Sequence, residues 1–86
     1  MLKVIAQDFI KPESIELVAP LYRELVEKTR AEPLCLAYDL FVDRKDPGHF
    51  VFDEHCRSEH FRRLVPLINR HQRQDCIVTL MDAFEG

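Results

Sequence analysis

The residues best suited to acid–base chemistry fall in the stretch 55–60, which reads His-Cys-Arg-Ser-Glu-His. On a helix, His60 lines up with Leu64, Leu67 and His71, at the border of an apolar stripe. An imidazole at such a border can face a cavity and move a proton near pH 7. We therefore predict His60 as the proton-transferring catalytic residue. The alternative is a half-buried helix histidine whose hydrogen bonds serve structure only.

The same stretch carries weak metal-ligand spacing. Cys56 and His60 are four positions apart and could contact one metal ion from a helix. Structural zinc usually needs four ligands, and His49 and His71 add no supporting spacing. We expect no metal site and no cofactor.

Tyr38 is the second candidate for chemistry, because a phenol hydroxyl can orient an aromatic substrate by a hydrogen bond. The alternative is an aromatic residue of the core or of a dimer interface. Five phenylalanines could line an apolar pocket, although most are expected in the core. They are Phe9, Phe41, Phe50, Phe52 and Phe84.

Composition and motifs exclude several classes of function. The 55–74 segment carries five arginines against a single glutamate, but the chain has net charge −3 and no RNA-stacking motif. We interpret this segment as a solvated helix face and expect no nucleic-acid binding. No Ser/His/Asp order, Walker loop, Rossmann fingerprint or zinc signature occurs.

The 86 residues fit one domain, 1–86, and 47% hydrophobic residues are too many for a disordered chain. No apolar run approaches the ~20 residues of a membrane span, and the first residues do not resemble a signal peptide. Cys35, Cys56 and Cys76 are odd in number and form no C-x-x-C, which favours reduced thiols. We expect a soluble, cytoplasmic protein that does not bind membranes.

Hydrophobic periodicity predicts six elements in the order β-α-β-β-α-β. Pro20 and Pro66 are expected to bend the first helix and to kink or break the second. In the turn Asp46-Pro47-Gly48, we expect Gly48 to adopt a positive φ. The predicted elements are a strand at 2–10, a helix at 13–31, strands at 34–43 and 49–52, a helix at 54–72 and a strand at 76–84.

This order is the split βαβ arrangement, a four-stranded sheet with both helices on one face. The first, second and fourth strands carry apolar residues on both faces, so the uncovered face needs a partner. A second copy packed sheet against sheet is the economical solution, and we expect a homodimer. Alternatively, some of these residues line a ligand cavity between the sheet and the helices.

Three stretches resemble the antibiotic-biosynthesis-monooxygenase domain family, including its quinol-monooxygenase-like members. They are LKVIAQDFIKPESIE, ELVEKTRAEPLCLAYDLFVDRKDPGHFVF and SEHFRRLVPLINR, which cover most of the chain in order. The resemblance implies an α+β, ferredoxin-like sandwich and a dimeric α/β barrel. It also implies oxidation of a small, electron-rich aromatic with molecular oxygen, without flavin, haem or metal.

The resemblance also assigns roles to residues. His60 becomes the proton-handling residue in a cavity between sheet and helices, and His55 matches the first histidine of the family's run. Tyr38, Phe52 and Glu54 become substrate contacts, Glu54 as a remnant of an acidic pair. Two alternatives stay open: a non-catalytic dimeric ligand-binding module that binds an apolar or aromatic molecule, and a relative that processes haem or a small metabolite.

One departure from the family pattern lies after Phe52, where roughly ten residues of half a strand and a short loop are missing. The chain also has no Trp, whereas the family usually has one in this segment. Either the chain is naturally shorter here or a segment is missing from the sequence.

Overall fold

A computed structural model describes residues 2–33, 35, 37–54, 59–82 and 84, with only the backbone for residues 2 and 59–62. Four strands form one antiparallel sheet in the order β2-β3-β1-β4. The strands are β1 (Leu2–Phe9), β2 (Tyr38–Val42), β3 (His49–Glu54) and β4 (Ile77–Asp82), and the helices are α1 (Ile15–Arg30) and α2 (Glu59–Asn69). This is the predicted ferredoxin-like α+β fold.

The strand ends differ from the predicted ones because a strand needs a partner. The predicted second strand began at residue 34, but β2 begins at Tyr38, which pairs with Glu54, the last residue of β3. The predicted second helix began at residue 54, but Asp53 and Glu54 stay in β3, where they pair with Ile5 and Val4 of β1. The register of β1 with β3 is unbroken through the Phe52–Asp53 junction.

Both helices continue through their prolines. Pro20 lies inside α1 and Pro66 inside α2, and α2 is one helix rather than two pieces. Both prolines are exposed, so the backbone carbonyl that loses its hydrogen bond lies on the solvent side of each helix. A helix tolerates the loss better there, because water can replace the missing donor.

The side chains that face the helices form the core. Ala6, Phe52 and Leu40 stand side by side across β1, β3 and β2, and α1 packs Val18 and Leu25 onto this side. The buried apolar residues are Ala6, Ile10, Val18, Tyr22, Leu25, Tyr38, Phe52, Leu64 and Ile68. The core therefore lies between one face of the sheet and the two helices, as the helical spacing predicted.

Gly48 is required for a different reason from the one expected. No described residue, glycine included, has a positive φ, so the turn does not need glycine for its backbone conformation. Instead, a Cβ at Gly48 would collide with the backbone carbonyl oxygen of Ile10. The Ile10 amide donates a hydrogen bond to the Gly48 carbonyl at 2.7 Å. Close backbone approach therefore excludes a side chain at this position.

Candidate active site

Three of the predicted site residues meet at one corner of the sheet. Tyr38 and Glu54 are directly opposed on β2 and β3, both on the face that the helices cover. Phe52 lies two residues before Glu54 on the same face, and its ring centroid is 5.6 Å from that of Tyr38. All three are buried, with Tyr38 and Glu54 each 2% exposed and Phe52 3%. The fold thus brings a phenol, a carboxyl group and an aromatic ring together.

The Tyr38 hydroxyl forms no hydrogen bond with any residue that the structure describes, although it is buried. Burial raises the pKa of this hydroxyl above its ordinary value, and the charges of Glu54 and Asp8 raise that pKa further. The phenol therefore keeps its proton and remains a hydrogen-bond donor. Buried polar groups in proteins are almost always paired, so a donor of this kind marks a candidate position for a ligand or a water molecule.

Of the two histidines predicted for the site, His55 and His60, the structure describes only the backbone of His60. His60 is the second residue of α2, which begins at Glu59, five positions after Glu54 ends β3. Five residues span at most about 18 Å, so the start of α2 lies no farther than that from Glu54. His55 and Cys56 lie outside the described residues.

A second polar cluster, which the sequence did not predict as a site, connects β1 to α1. The Tyr22 hydroxyl donates a hydrogen bond to Asp8 Oδ2 at 2.7 Å, and Gln72 Nε2 donates to Asp8 Oδ1 at 2.9 Å. The Phe9 amide fixes Gln72 in turn by donating to its Oε1 at 2.7 Å. Burial raises the pKa of Tyr22, and the neighbouring Asp8 charge raises it further, so this phenol also keeps its proton.

Two spaces adjoin the cluster of Asp8 and Tyr22, and one of them also borders Phe52. An enclosed cavity of about 40 Å³ lies between the sheet and the helices, next to Asp8, Tyr22, Phe52 and Val78. A more open groove of about 740 Å³ lies between α1 and the strands β2 and β3. We call it the α1 groove; it is lined mainly by Tyr22, Arg23, Val26, Arg30, Leu40 and Phe50. The Tyr22 side chain borders both spaces.

Comparison with known proteins identifies the family. The antibiotic biosynthesis monooxygenase family model matches residues 1–60. The chain belongs to the antibiotic biosynthesis monooxygenase family. A crystal structure of an antibiotic biosynthesis monooxygenase is 73% identical, with a TM-score of 0.92, and the match covers 99% of this chain and 100% of that one.

Other solved structures share the fold at lower identity. A Pseudomonas aeruginosa protein is 28% identical with a TM-score of 0.81, and the match covers 98% of this chain and 94% of that one. A conserved protein from Methanosarcina mazei is 23% identical with a TM-score of 0.82, and the match covers 93% of this chain and 89% of that one. The second of these shows the fold alone. No protein with a curated description matches the chain.

In this member of the monooxygenase family, the other two histidines have structural partners. His49 Nδ1 lies 3.1 Å from Asp43 Oδ2, and its Nε2 lies 2.9 Å from Gln7 Oε1. His71 Nδ1 lies 3.0 Å from the hydroxyl of Ser14, which is buried. These contacts agree with the absence of site spacing around both residues.

The cysteines differ from the expectation of three reduced thiols. Cys35 is disulfide-bonded. Cys76 is free and exposed. A count of cysteines and their spacing could not predict this bond, because bonding depends on which residues the fold brings together.

Among the residues that the structure describes, no group of three or more His, Cys, Asp or Glu side chains could hold a metal ion. No helix in the described ranges is long and apolar enough to cross a membrane.

Proposed function

We propose that this chain is a monooxygenase that oxidises a small, electron-rich aromatic such as a quinol with molecular oxygen and no cofactor. The observation that carries the proposal is the buried Tyr38 hydroxyl, which has no hydrogen-bond partner among the described residues and lies beside Glu54 and Phe52. A protonated phenol beside an aromatic ring can orient a substrate hydroxyl. Family membership supports the same reaction type.

In the proposed reaction, the substrate itself reduces oxygen. A quinol that loses a proton becomes electron-rich enough to transfer electrons to O₂, so the protein supplies orientation, a base and exclusion of water. One oxygen atom of O₂ replaces a ring hydrogen, and the other leaves as water as the quinol is oxidised to a hydroxyquinone. We assign the base role to His60 and substrate contacts to Tyr38, Phe52, Glu54 and His55.

The size of the enclosed cavity sets a requirement on this proposal. About 40 Å³ holds roughly one water molecule. A quinol needs more room, so the substrate must either displace side chains around this cavity or occupy the α1 groove with its reactive edge toward Tyr38. Arg30 connects the two regions, because it lines the groove and its Nε donates a hydrogen bond to the Tyr38 carbonyl at 2.8 Å.

The test is oxygen consumption with a panel of naphthohydroquinones, corrected for oxidation in buffer alone. We expect His60→Ala to lower the rate by about 10²–10⁴-fold, the usual contribution of a general base. Arg70→Ala is the matched control, because Arg70 is exposed and follows the end of α2. Equal rates for wild type and His60→Ala would remove His60 from the mechanism. No catalysed consumption by the wild type would contradict the proposed reaction.

We also propose that residues 1–86 fold as one domain and act as a homodimer through the face of the sheet that the helices leave open. On that face Phe41 is 56% exposed, Ile77 45% and Met81 49%. These residues lie on the two edge strands, β2 and β4, and the half-buried Val51 and Ile5 lie on the same face of the strands between them. A soluble monomer rarely leaves such an apolar surface uncovered. A second copy offers the same surface, as a twofold interface requires.

Mass measurement in solution tests the dimer. We expect twice the chain mass for the wild type and the monomer mass for Phe41→Glu. Leu17→Glu is the matched control, because Leu17 is 61% exposed on α1, away from the open face. A wild-type monomer would contradict the proposed interface.

The small enclosed cavity also favours a second candidate, a non-catalytic dimeric ligand-binding module of the same fold. This candidate predicts that a naphthoquinone binds while no quinol is turned over. The oxygen assay and a binding titration on the same preparation separate the two candidates. Fold alone cannot, because one fold hosts many functions.

A further inference from the structure

The α1 groove has the size and walls of a small-molecule site. Its volume is about 740 Å³, within the roughly 300–1,000 Å³ typical of ligand pockets. Tyr22 and Phe50 line it with rings whose centroids are 4.7 Å apart at an angle of 49°. Val26 and Leu40 add aliphatic surface. Such walls favour a planar aromatic ligand, which can contact both rings and the aliphatic groups.

The groove lies on the helix side of the sheet. Leu40 and Phe50 share the face that carries the buried core residue Phe52, whereas the exposed Phe41 points to the opposite face. A second copy on the open face therefore leaves the groove accessible. The groove also runs along the sheet edge at β2, so a ligand can enter from solvent.

The groove has one guanidinium group that is available to an anion. Arg23 and Arg30 line it together with the carboxylate of Glu27. Arg30 is already paired, since its Nη2 donates a hydrogen bond to Asp39 Oδ1 at 2.8 Å. Arg23 is exposed and forms no ion pair or hydrogen bond within the described part of the chain. Its guanidinium is therefore available to a ligand carboxylate, which it can bind with two parallel hydrogen bonds.

We propose that the α1 groove binds a small planar aromatic anion of the hydroxynaphthoate class. The ring lies against Tyr22, Phe50 and Leu40, and the carboxylate pairs with Arg23. The site is argued from the groove alone and does not depend on the proposed oxidation. The same ligand can be a substrate of that reaction or an effector of it, and the binding measurement below is independent of turnover.

Calorimetric titration with three probes tests the site: 1-hydroxy-2-naphthoate, the neutral 2-naphthol, and the non-aromatic anion cyclohexanecarboxylate. We expect the naphthoate to bind about fivefold more tightly than 2-naphthol, since an exposed ion pair contributes little more than that. The preference should shrink as salt is raised. Cyclohexanecarboxylate should bind most weakly, because it cannot contact the two rings through a planar face.

Two variants separate charge from shape. Arg23→Gln should bring the naphthoate down to the affinity of 2-naphthol, while 2-naphthol binding stays unchanged. Ala19→Phe places a ring in the groove, which Ala19 lines, and should weaken both aromatic probes at least tenfold. Arg70→Gln is the control for loss of a positive charge elsewhere, and circular dichroism checks that each variant is folded.

The proposal fails if the wild type binds neither aromatic probe, if the naphthoate and 2-naphthol bind equally, or if folded Ala19→Phe binds both as the wild type does. A protein that binds the naphthoate at Arg23 but consumes no oxygen with any quinol keeps this inference and loses the proposed function. If the wild type binds no naphthoate, and wild type, Arg23→Gln and Ala19→Phe all oxidise quinols at the same rate, this inference fails and the proposed function is kept.

Discussion

The two faces of the sheet hold their polar residues in different ways. On the helix-covered face, Asp8 accepts hydrogen bonds from Tyr22 and Gln72 among buried apolar residues. On the open face, Lys3 pairs with Asp53 at 3.4 Å, with the Lys3 side chain 41% exposed. Residues Phe41 and Met81 on this open face remain about half exposed. The helix-covered face holds the core, although Val42, Val78 and Leu80 on its edge strands remain exposed. The open face combines surface ion pairs with uncovered apolar side chains.

The difference shows what each face contributes. A buried polar network must be satisfied inside the chain, so it constrains the positions of β1, α1 and the segment after α2. Exposed ion pairs add at most about 1 kcal/mol each. The helix-covered face therefore stabilises the single chain, while the open face is the surface at which we propose that a second copy packs. Substitutions on the two faces should separate folding from assembly.

The largest difference is expected between two phenylalanines on the two faces. Phe52→Ala should destabilise the fold by about 3–5 kcal/mol, because Phe52 is 3% exposed and contacts both Tyr22 and Tyr38. Phe41→Ala should leave the stability of a monomer within about 0.5 kcal/mol, since surface changes have small effects. Urea denaturation at low protein concentration measures both.

Thermal midpoints measured over a range of protein concentrations test the contribution of dimer formation. If Phe41 lies in a dimer interface, Phe41→Ala should lower the thermal midpoint more at high concentration, where the wild type gains stability from association. Equal loss of stability for the two alanine variants at low concentration would contradict the division between the faces.

The next effect concerns the Asp8 network. Asp8→Ala should cost about 1–3 kcal/mol, since it leaves the Tyr22 hydroxyl without its acceptor and leaves the Gln72 amide with Asn69 Oδ1 alone. Tyr22→Phe should cost less, because the charged acceptor keeps its bond from Gln72. The double variant should cost less than the sum of the two, since both remove the same bond. Strictly additive costs would show that the network does not stabilise the fold as a unit.

Tyr38→Phe is expected to have a smaller effect, and to leave the stability of the fold unchanged or slightly increased. The Tyr38 hydroxyl is buried with no hydrogen-bond partner among the described residues, so its removal leaves nothing unpaired. The thermal midpoint should stay the same or rise slightly. Quinol oxidation should fall in the same protein if the hydroxyl orients the substrate. A variant that loses stability would show that the hydroxyl has a structural partner.

The sequence predicted the part of this molecule that depends on periodicity. Strand alternation and the helical spacing of residues such as Val18, Tyr22 and Leu25 were enough for the topology. The opposed position of Tyr38 and Glu54 was not predicted, because the sequence placed Glu54 at the start of the second helix. The start of β2 could not be predicted, because it depends on where the partner strand β3 ends. The reason for Gly48 was also hidden, since it involves the distant Ile10 carbonyl.

Some residues of the candidate sites could be proposed from the sequence, and others are seen only in the structure. The sequence proposed Tyr38 because a phenol on an apolar strand face can orient a substrate, and it proposed Phe52 through the family resemblance. Asp8 and Tyr22 are 14 positions apart, on different elements, and neither stands out locally. The sequence did not single out Arg23, because only the position of β2 beside α1 turns that stretch of the helix into a groove. A site that forms where separate elements pack together can be identified only once the tertiary structure is known.

The smallest effect is expected at the turn end of the open face and depends on pH. A hydrogen bond from His49 and another from the Lys45 amide lower the pKa of Asp43. Its pKa is therefore lower in the folded than in the unfolded chain. Asp43 then contributes stability above its unfolded pKa of about 3.9, and that contribution is lost as pH falls through the lower, folded value.

Urea midpoints for wild type and Asp43→Asn between pH 6 and pH 2.5 measure this contribution. The wild type should be the more stable at pH 6, and the two curves should converge below pH 4. Asp75→Asn is the control for loss of one exposed carboxylate, because Asp75 has no hydrogen bond or ion pair within the described residues. A difference between wild type and Asp43→Asn that is constant down to pH 2.5 would show that the carboxylate charge does not matter. The stability of the turn would then come from backbone contacts, such as the hydrogen bond from the Ile10 amide to the Gly48 carbonyl.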